Sequence, residues 1–215
     1  MTRFIKSKSF LSSLALVLTV GNLPSFAYGQ TQNDAMYFVV SSGLAFADVS
    51  ETANTNGQLL ADSLGQTVTV EYDRASWMGR IAGGYEIANS VSLEVGYFMT
   101  GDIDIEYSIP GAKVTESYNG NGWDFALKLD FEDSGAFLKA GMHNSDLNAK
   151  ATVTLSGSTV ASAAATASGT GPLIGGGFEQ QAPNGEITYW GYDLYMNIGD
   201  VDDANFGMLY YGWRF

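Results

Sequence analysis

Eight segments of the chain alternate apolar and polar side chains with a period of two. The clearest is GWDFALKLDF, residues 122–131, in which Trp123, Phe125, Leu127, Leu129 and Phe131 alternate with Asp124, Ala126, Lys128 and Asp130. This period puts successive side chains on opposite faces of a β-strand, and a helix cannot present them as two clean faces. The other segments are residues 36–48, 77–87, 90–100, 135–143, 168–179, 187–198 and 208–215. The pattern predicts an all-β protein whose strands each meet two different environments.

The N-terminus has the three parts of a secretory signal peptide. Basic residues precede an apolar run from Phe10 to Val20, and the small residues Ser25 and Ala27 follow it. The run is about half of the ~20 residues that a membrane-spanning helix needs. We therefore expect cleavage between Ala27 and Tyr28, with residues 28–215 as one domain.

The composition of the mature chain excludes several classes of protein. Without Arg3, Lys6 and Lys8 of the signal peptide, the ten Lys and Arg residues become seven, against 23 Asp and Glu, a formal charge of −16. A nucleic-acid partner is therefore not expected. The chain has no cysteine, so no disulfide can stabilise it. No later segment predicts a transmembrane helix, so membrane insertion requires a closed sheet.

The connections between the predicted strands alternate in length. Short links of turn-forming residues follow the second, fourth and sixth segments, at residues 88–90, 132–135 and 181–185. Longer connections span residues 50–76, 101–120 and 144–167, and a shorter acidic one spans residues 199–205. Short turns at one end and long loops at the other are typical of bacterial outer-membrane barrels. Because Pro172 lacks an N–H group, the sixth strand is expected to begin near it.

A soluble sandwich or lipocalin-like barrel would show the same alternation with its faces reversed. Two features favour a membrane barrel. Aromatic residues end the apolar faces, at Trp123 and Phe131 and at Trp213 and Phe215, as an interfacial girdle requires. Glycines recur on the polar faces, where a narrow lumen is crowded; they are Gly43, Gly84, Gly96, Gly141, Gly175, Gly177 and Gly191.

The final segment, LYYGWRF, resembles the end of small eight-stranded outer-membrane barrels similar to the OmpA transmembrane domain and OmpX. The resemblance implies an antiparallel up-and-down barrel with short periplasmic turns and longer extracellular loops. It also implies that Tyr211, Trp213 and Phe215 form the signal read by the barrel-assembly machinery. Outer-membrane lipid and lipopolysaccharide are the expected surroundings, and a monomer without a cofactor is expected. OmpA continues into a peptidoglycan-binding domain, a function that the resemblance does not bring to this chain.

On the barrel interpretation, the charged residues of the strands face the lumen. The predicted network comprises Arg80, Glu86, Glu94, Asp124, Lys128, Asp130, Lys139, Asp193 and Arg214, with Glu179 on the same face. Enclosed charges are costly unless they are paired, so these residues are expected to form salt bridges that fill the interior. Eight strands leave an interior just wide enough for side chains, which disfavours open diffusion of solutes.

Two patterns suggest other chemistry. His143 and Ser145 have the His-x-Ser spacing of outer-membrane lipid A deacylases, and a histidine can activate a serine. Both residues share the lumen-facing parity of Lys139, however, whereas a lipid-cleaving site must face lipid. Closely spaced carboxylates at Asp102, Asp104 and Glu106, and at Asp200, Asp202 and Asp203, are interpreted as a solvated acidic rim, because a calcium loop needs more ligands and a fixed glycine. We therefore predict neither a catalytic residue nor a metal site.

The sequence thus predicts a structural or surface-interaction protein, of the adhesion type, located in the bacterial outer membrane. Its extracellular loops would contact a host or phage surface ligand, which the residues do not identify. The third loop, rich in Ala, Ser and Thr around Ser156 and Gly157, is expected to extend the barrel as a hairpin. The alternatives are a narrow channel for ions or small solutes and a lipid A-modifying hydrolase.

Overall fold

The computed structural model describes residues 36–131, 134–201 and 204–215. This part of the chain contains ten β-strands, one α-helix and one short 3₁₀ turn. No helix within it is both long and apolar enough to cross a membrane. The elements are β1 (Met36–Phe46), α1 (Ser50–Leu64), β2 (Thr69–Tyr72), β3 (Ala75–Ala88), β4 (Val91–Thr100), β5 (Ile103–Ile109), β6 (Ala112–Phe131), β7 (Ala136–Leu155), β8 (Ser158–Gln181), β9 (Ile187–Tyr195), the 3₁₀ turn (Ile198–Asp200) and β10 (Phe206–Arg214).

Eight of these strands close into a ring of antiparallel neighbours. The ring order is β1, β3, β4, β6, β7, β8, β9 and β10, after which β10 pairs with β1. At the closing seam, the backbone of Phe38 and that of Phe215 exchange two hydrogen bonds of 2.9 and 2.8 Å. The ring strands match the eight segments of alternating sequence, so the predicted up-and-down barrel is confirmed.

The apolar face of each ring strand points away from the barrel. On β6, Trp123, Phe125 and Leu127 are 55, 53 and 52% exposed, whereas the intervening Asp124 and Lys128 are at most 1% exposed. A soluble barrel would bury the first set and expose the second. The soluble alternative is therefore wrong, because the outer surface of this barrel is apolar and its interior is charged.

On β6, the outward-facing side chains change from apolar to polar beyond Trp123, in the direction of the long-loop end. Continuing toward the N-terminus of β6, the outward positions become Asn121, Asn119 and Ser117, while the inward positions carry apolar residues such as Val114. The same change occurs on β7, where Asn144 follows the outward Met142. These positions mark the upper edge of the apolar band, and the long strands β6, β7 and β8 continue beyond it.

Two short strands, the outer parts of three ring strands and a helix build a structure beyond that edge. β7 and β8 form a hairpin whose turn residues Ser156 and Gly157 both have positive φ, 48° and 84°, which is the geometry of a tight two-residue turn. The predicted hairpin extension is therefore present. β5 pairs with the outer part of β6, and β2 pairs with β5.

Residues 50–76, predicted only as a long connection between the first two ring strands, form regular structure. This segment contains α1 and β2. α1 buries Ala53 and Gly57, and it packs on the inner face of β2 and β5 through Ile105 and Tyr107. The helix ends at Gly65, whose φ of 62° is the left-handed conformation of a C-cap. Its mostly polar sequence has no strong helical periodicity, so tertiary packing on the sheet decides its structure.

The expected start of the sixth strand near Pro172 was also wrong, because β8 continues through it. Pro172 pairs with Met142 of β7, and its carbonyl accepts a hydrogen bond from the backbone N–H of Met196 at 3.1 Å. The β8–β9 ladder begins only at Leu173. The missing N–H of Pro172 thus lies where the neighbouring strand ends, and it interrupts no ladder.

Candidate functional site in the barrel interior

A buried ion cluster lies in the middle of the lumen. Arg80 donates to both carboxylate oxygens of Asp124, from Nε to Oδ2 at 2.8 Å and from Nη2 to Oδ1 at 2.6 Å. The same Nη2 donates to Glu94 Oε2 at 3.2 Å. Arg80 is 3% exposed and Asp124 is completely buried. Bidentate pairing of this kind gives an arginine both charge compensation and a single orientation.

Lys139 extends this cluster to the opposite wall. Its Nζ lies 3.3 Å from Glu94 Oε2, 3.6 Å from Asp193 Oδ2 and 3.2 Å from the hydroxyl of Tyr210. Tyr210 in turn donates to Asp193 Oδ1 at 2.9 Å. Residues of β4, β7, β9 and β10 are thereby joined across the lumen, which ties together strands that are not neighbours in the ring.

A second ion cluster lies at the short-turn end. Lys128 Nζ contacts Asp130 Oδ1 at 2.5 Å and Glu179 Oε1 at 2.6 Å. Arg214 contacts the other oxygen of Glu179 at 3.2 Å and Glu86 at 2.6 Å, and its guanidinium lies 3.9 Å from the centre of the Tyr37 ring. Each of the nine predicted lumen residues belongs to one of these two clusters, and Glu86 is a half-exposed member of the second.

Inward glycines make room for long side chains that cross a strand. A Cβ atom at Gly96 would lie 2.8 Å from Arg80 Nε, on the path of Arg80 toward Asp124. The Tyr37 ring occupies the corresponding space at Gly84, and its hydroxyl donates to Glu94 at 3.1 Å on the strand beyond. Gly175 similarly lies between Lys139 and Asp193 in the register. The glycines thus determine which strands a side chain can reach.

An apolar plug fills the lumen between the central ion cluster and the long-loop end. Its large members are almost completely buried, and they include Met78, Phe98, Ile103, Leu173, Ile198, Phe206 and Met208. The alternation did not predict this layer, and it placed Ile198 on the outward face. For Ile198 that assignment is wrong: β9 ends at Tyr195, Asn197 turns the chain with a φ of 56°, and Ile198 enters the barrel mouth completely buried.

His143 and Ser145 are hydrogen-bonded beneath this turn. His143 Nδ1 lies 2.9 Å from Ser145 Oγ, and His143 Nε2 lies 2.8 Å from the carbonyl oxygen of Met196. Because a carbonyl only accepts, Nε2 carries the proton and Nδ1 accepts from the serine. Ser145 Oγ also accepts from the backbone N–H of Gly199 at 3.3 Å. Both side chains are buried and hold the turn after β9 in place.

The remaining predicted positions divide between the barrel surface and undescribed residues. Tyr211 and Trp213 lie on the outward side of β10, with their rings 5.2 Å apart, and Phe215 is 37% exposed. Ala27, Tyr28, Asp202 and Asp203 lie outside the described residues, as does the side chain of Asp200. Among the residues that are described, no group of three or more His, Asp or Glu side chains is placed to hold a metal ion.

A smaller polar cluster supports the structure beyond the apolar band. Tyr107 and Tyr118 both donate to Glu116 Oε2, at 3.3 and 3.0 Å. Burial raises the pKa of Tyr107 to about 12, with an opposing contribution from Asn56 and a supporting one from the Glu116 carboxylate. Burial and the Glu116 carboxylate also raise the pKa of Tyr118. Both phenols are therefore neutral donors at physiological pH.

Comparisons with known proteins place this barrel in a family. Curated protein sequences gave no match. Among solved structures, neisserial surface protein A (NspA) shares 19% identity over 84% of this chain and 96% of its own, with a TM-score of 0.39. Ail, the attachment invasion locus protein of Yersinia pestis, solved with the heparin analogue sucrose octasulfate, shares 14% identity over 84% of this chain and 99% of its own, with a TM-score of 0.46. The model of the OmpA-like transmembrane domain matches residues 31–213. The chain therefore belongs to the OmpA-like transmembrane domain family of outer-membrane β-barrels.

Proposed function

We propose that this protein is a sealed outer-membrane barrel that presents an ordered surface structure for interaction with a ligand outside the cell. The proposal rests on a contrast between the barrel lumen and the strands that extend beyond the barrel. The lumen is filled by side chains, whereas β6, β7 and β8 continue for many residues beyond the apolar band. The long-loop end faces the exterior in the plan of outer-membrane barrels.

The packing of the lumen argues against a channel. Ions entering from the short-turn end would meet the Lys128 and Arg214 cluster and then the Arg80 cluster, in which each basic side chain contacts a carboxylate. Beyond that lies the apolar plug, in which Phe98 and Ile198 are completely buried. Crossing it would require an ion to lose its hydration among apolar side chains.

The contacts of His143 argue against a lipid hydrolase. Ser145 is 2% exposed, and its hydroxyl is hydrogen-bonded to both His143 and the backbone N–H of Gly199. A lipid ester at the outer surface has no access to it. We infer that the pair is structural and that the protein has no enzymatic activity.

The hairpin of β7 and β8 is the most prominent surface that the fold offers to a ligand. Residues 158–166 of β8 are all exposed, and the β8–β9 ladder starts only at Leu173, so this part of β8 is an edge strand. We propose that the hairpin, together with the α1 region, contacts a host or phage surface component. Below the hairpin, the barrel is a monomer surrounded by lipid and lipopolysaccharide. The barrel-assembly machinery inserts it into the outer membrane.

A hairpin truncation tests the proposal. Residues 147–167 would be replaced by a two-residue Asn-Gly turn, and the variant would be displayed in the outer membrane of a host bacterium beside the full chain. We expect both proteins to fold, as measured by the gel shift between heated and unheated samples, and only the full chain to increase adhesion of the bacteria to cultured animal cells. Equal adhesion by the two proteins would contradict a role for the hairpin.

A planar-bilayer recording tests the channel alternative on the same preparations. We expect no steady conductance from the purified barrel. A large and steady conductance that Ile198→Ala increases would instead identify a pore that the apolar plug controls.

A further inference from the structure

The central ion cluster has more negative than positive charges. It contains two cations, Arg80 and Lys139, and three carboxylates, Glu94, Asp124 and Asp193, and each of these five residues is at most 4% exposed. A buried charge without a counterion is expensive, because the interior cannot replace the water that solvated it. The chemistry of the cluster therefore depends on which carboxylate lacks a cation.

Asp124 and Glu94 take up both cations. Asp124 accepts two hydrogen bonds from Arg80 and a third from the hydroxyl of Tyr195 at 3.0 Å. Glu94 Oε2 is shared by Arg80 at 3.2 Å and Lys139 at 3.3 Å, and its Oε1 accepts from Tyr37. Every oxygen of these two carboxylates accepts a hydrogen bond or contacts a cation, as a buried ionised carboxylate requires.

Asp193 differs from both. Its Oδ1 accepts from the neutral hydroxyl of Tyr210, but its Oδ2 is buried and has no hydrogen bond. The nearest cation, Lys139, is 3.6 Å from Oδ2, which is longer than an N–H···O hydrogen bond. Lys139 lies closer to Tyr210 and to Glu94.

We propose that Asp193 binds a proton in the folded barrel, so that the lumen is a site for one proton and the central cluster is electrically neutral. The proton is taken from water during folding and resides on Oδ2, which leaves Oδ1 free to accept from Tyr210. The groups that face Asp193 from the packed strands are Lys139 of β7, Tyr210 of β10, Arg80 of β3 and Asp124 of β6, with Tyr189 and Tyr195 on its own strand. Glu94 of β4 is linked to Asp193 through Lys139.

Isosteric substitutions at two carboxylates test this proposal. Asp193→Asn keeps the shape of a protonated aspartate, so we expect the unfolding equilibrium constant in urea at neutral pH to stay within about threefold of wild type. The matched control, Asp124→Asn, removes a carboxylate that pairs with Arg80, and we expect it to favour unfolding by at least about a hundredfold. Equal large losses from both variants would overturn the proposal, since Asp193 would then be an ionised partner of Lys139.

Measurements on the unsubstituted barrel give a result even if neither variant folds. At about pH 8, where an ordinary histidine is neutral and an exposed aspartate is ionised, unfolding in weakly buffered urea should release about one proton per chain. The infrared spectrum of the folded barrel should contain the C=O band of a protonated carboxyl group. Absence of both signals would overturn the proposal. Stability that depends on the concentration of sodium or potassium at constant ionic strength, and not on pH, would overturn it in favour of a bound monovalent cation.

Discussion

Lys128 shows at the scale of one residue how the lumen is held together. It is 1% exposed and contacts Asp130 and Glu179 at 2.5 and 2.6 Å. Asp130 lies two residues away on the same face of β6, a spacing that does not by itself bring the two charged groups together. The Lys128 side chain nevertheless bends toward Asp130 and contacts it. Asp130 thus depends on an ammonium group that solvent barely reaches, and Glu179 contacts both this ammonium group and the Arg214 guanidinium.

Removal of that ammonium group should destabilise the barrel. Lys128→Met leaves two partly buried carboxylates close together, and we expect a loss of about 3 kcal/mol in the free energy of unfolding. Leu127→Ala is the control, because Leu127 is 52% exposed on the outward face and loses mainly lipid contact. Urea unfolding in lipid vesicles measures both. An unchanged midpoint for Lys128→Met would contradict the role of this cluster.

Two glycines near each other in the barrel wall should respond differently to the same substitution. In Gly96→Ala the new methyl group would lie 2.8 Å from Arg80 Nε and Nη2, so Arg80 must move away from Asp124. We expect a loss of about 1–3 kcal/mol. In Gly83→Ala the methyl group meets no atom within 4 Å on the outward face, so we expect little change. Urea unfolding compares the two variants, and equal effects would contradict the crossing of Arg80 over Gly96.

At the scale of elements, the packing of α1 on β5 depends on a neutral phenol. Tyr107 is 2% exposed and donates to Glu116, and its pKa is raised to about 12 from the ordinary value of about 10. A group whose pKa is raised by folding contributes stability that is complete below its unfolded pKa and is lost as the pH rises through its folded pKa. The contact should therefore weaken between about pH 10 and pH 12, as a phenolate forms beside the Glu116 carboxylate.

Amide hydrogen exchange of α1 as a function of pH, corrected for intrinsic exchange rates, measures this effect. We expect protection of α1 to fall over that interval while the ring strands stay protected. Tyr107→Phe keeps the ring but cannot ionise, so its α1 should show a smaller pH dependence. The same pH dependence in both proteins would show that another group controls the packing.

At the scale of the whole molecule, the last residue closes the ring. The backbone of Phe215 exchanges two hydrogen bonds with Phe38, and its side chain lies partly exposed on the barrel surface. Phe215→Ala keeps the backbone bonds and removes the ring that the assembly machinery is expected to read. We therefore predict slower assembly in cells with a small change in the stability of the finished barrel.

The gel shift between heated and unheated samples, followed over time after synthesis, measures the assembly rate, and urea unfolding of the purified barrel measures stability. Ser134→Ala, in the short connection before β7, is a control that leaves the C-terminal strand unchanged. A large loss of stability without slower assembly would contradict a signalling role for the Phe215 ring.

The alternation of side chains predicted the strands and their two faces, and the aromatic ends of the apolar faces and the glycines of the polar faces predicted which face points outward. Trp123 and Asp124 point to opposite sides because adjacent side chains on a pleated strand must do so. The lengths of the connections likewise predicted which end carries the extended structure, because a tight turn such as residues 88–90 leaves no chain for anything else. Both features depend on neighbouring residues, so they can be read locally.

The tertiary structure alone decided how the interior is connected. Arg80 reaches Asp124 because Gly96 lies between them on a neighbouring strand, and that proximity depends on register and closure of the ring. Ile198 is inside because the chain turns after β9, although its alternation pointed outward. α1 forms where β2 and β5 offer it an apolar face. Contacts between residues far apart in sequence are set by the closed ring, whereas the two faces of each strand are set by the sequence of that strand.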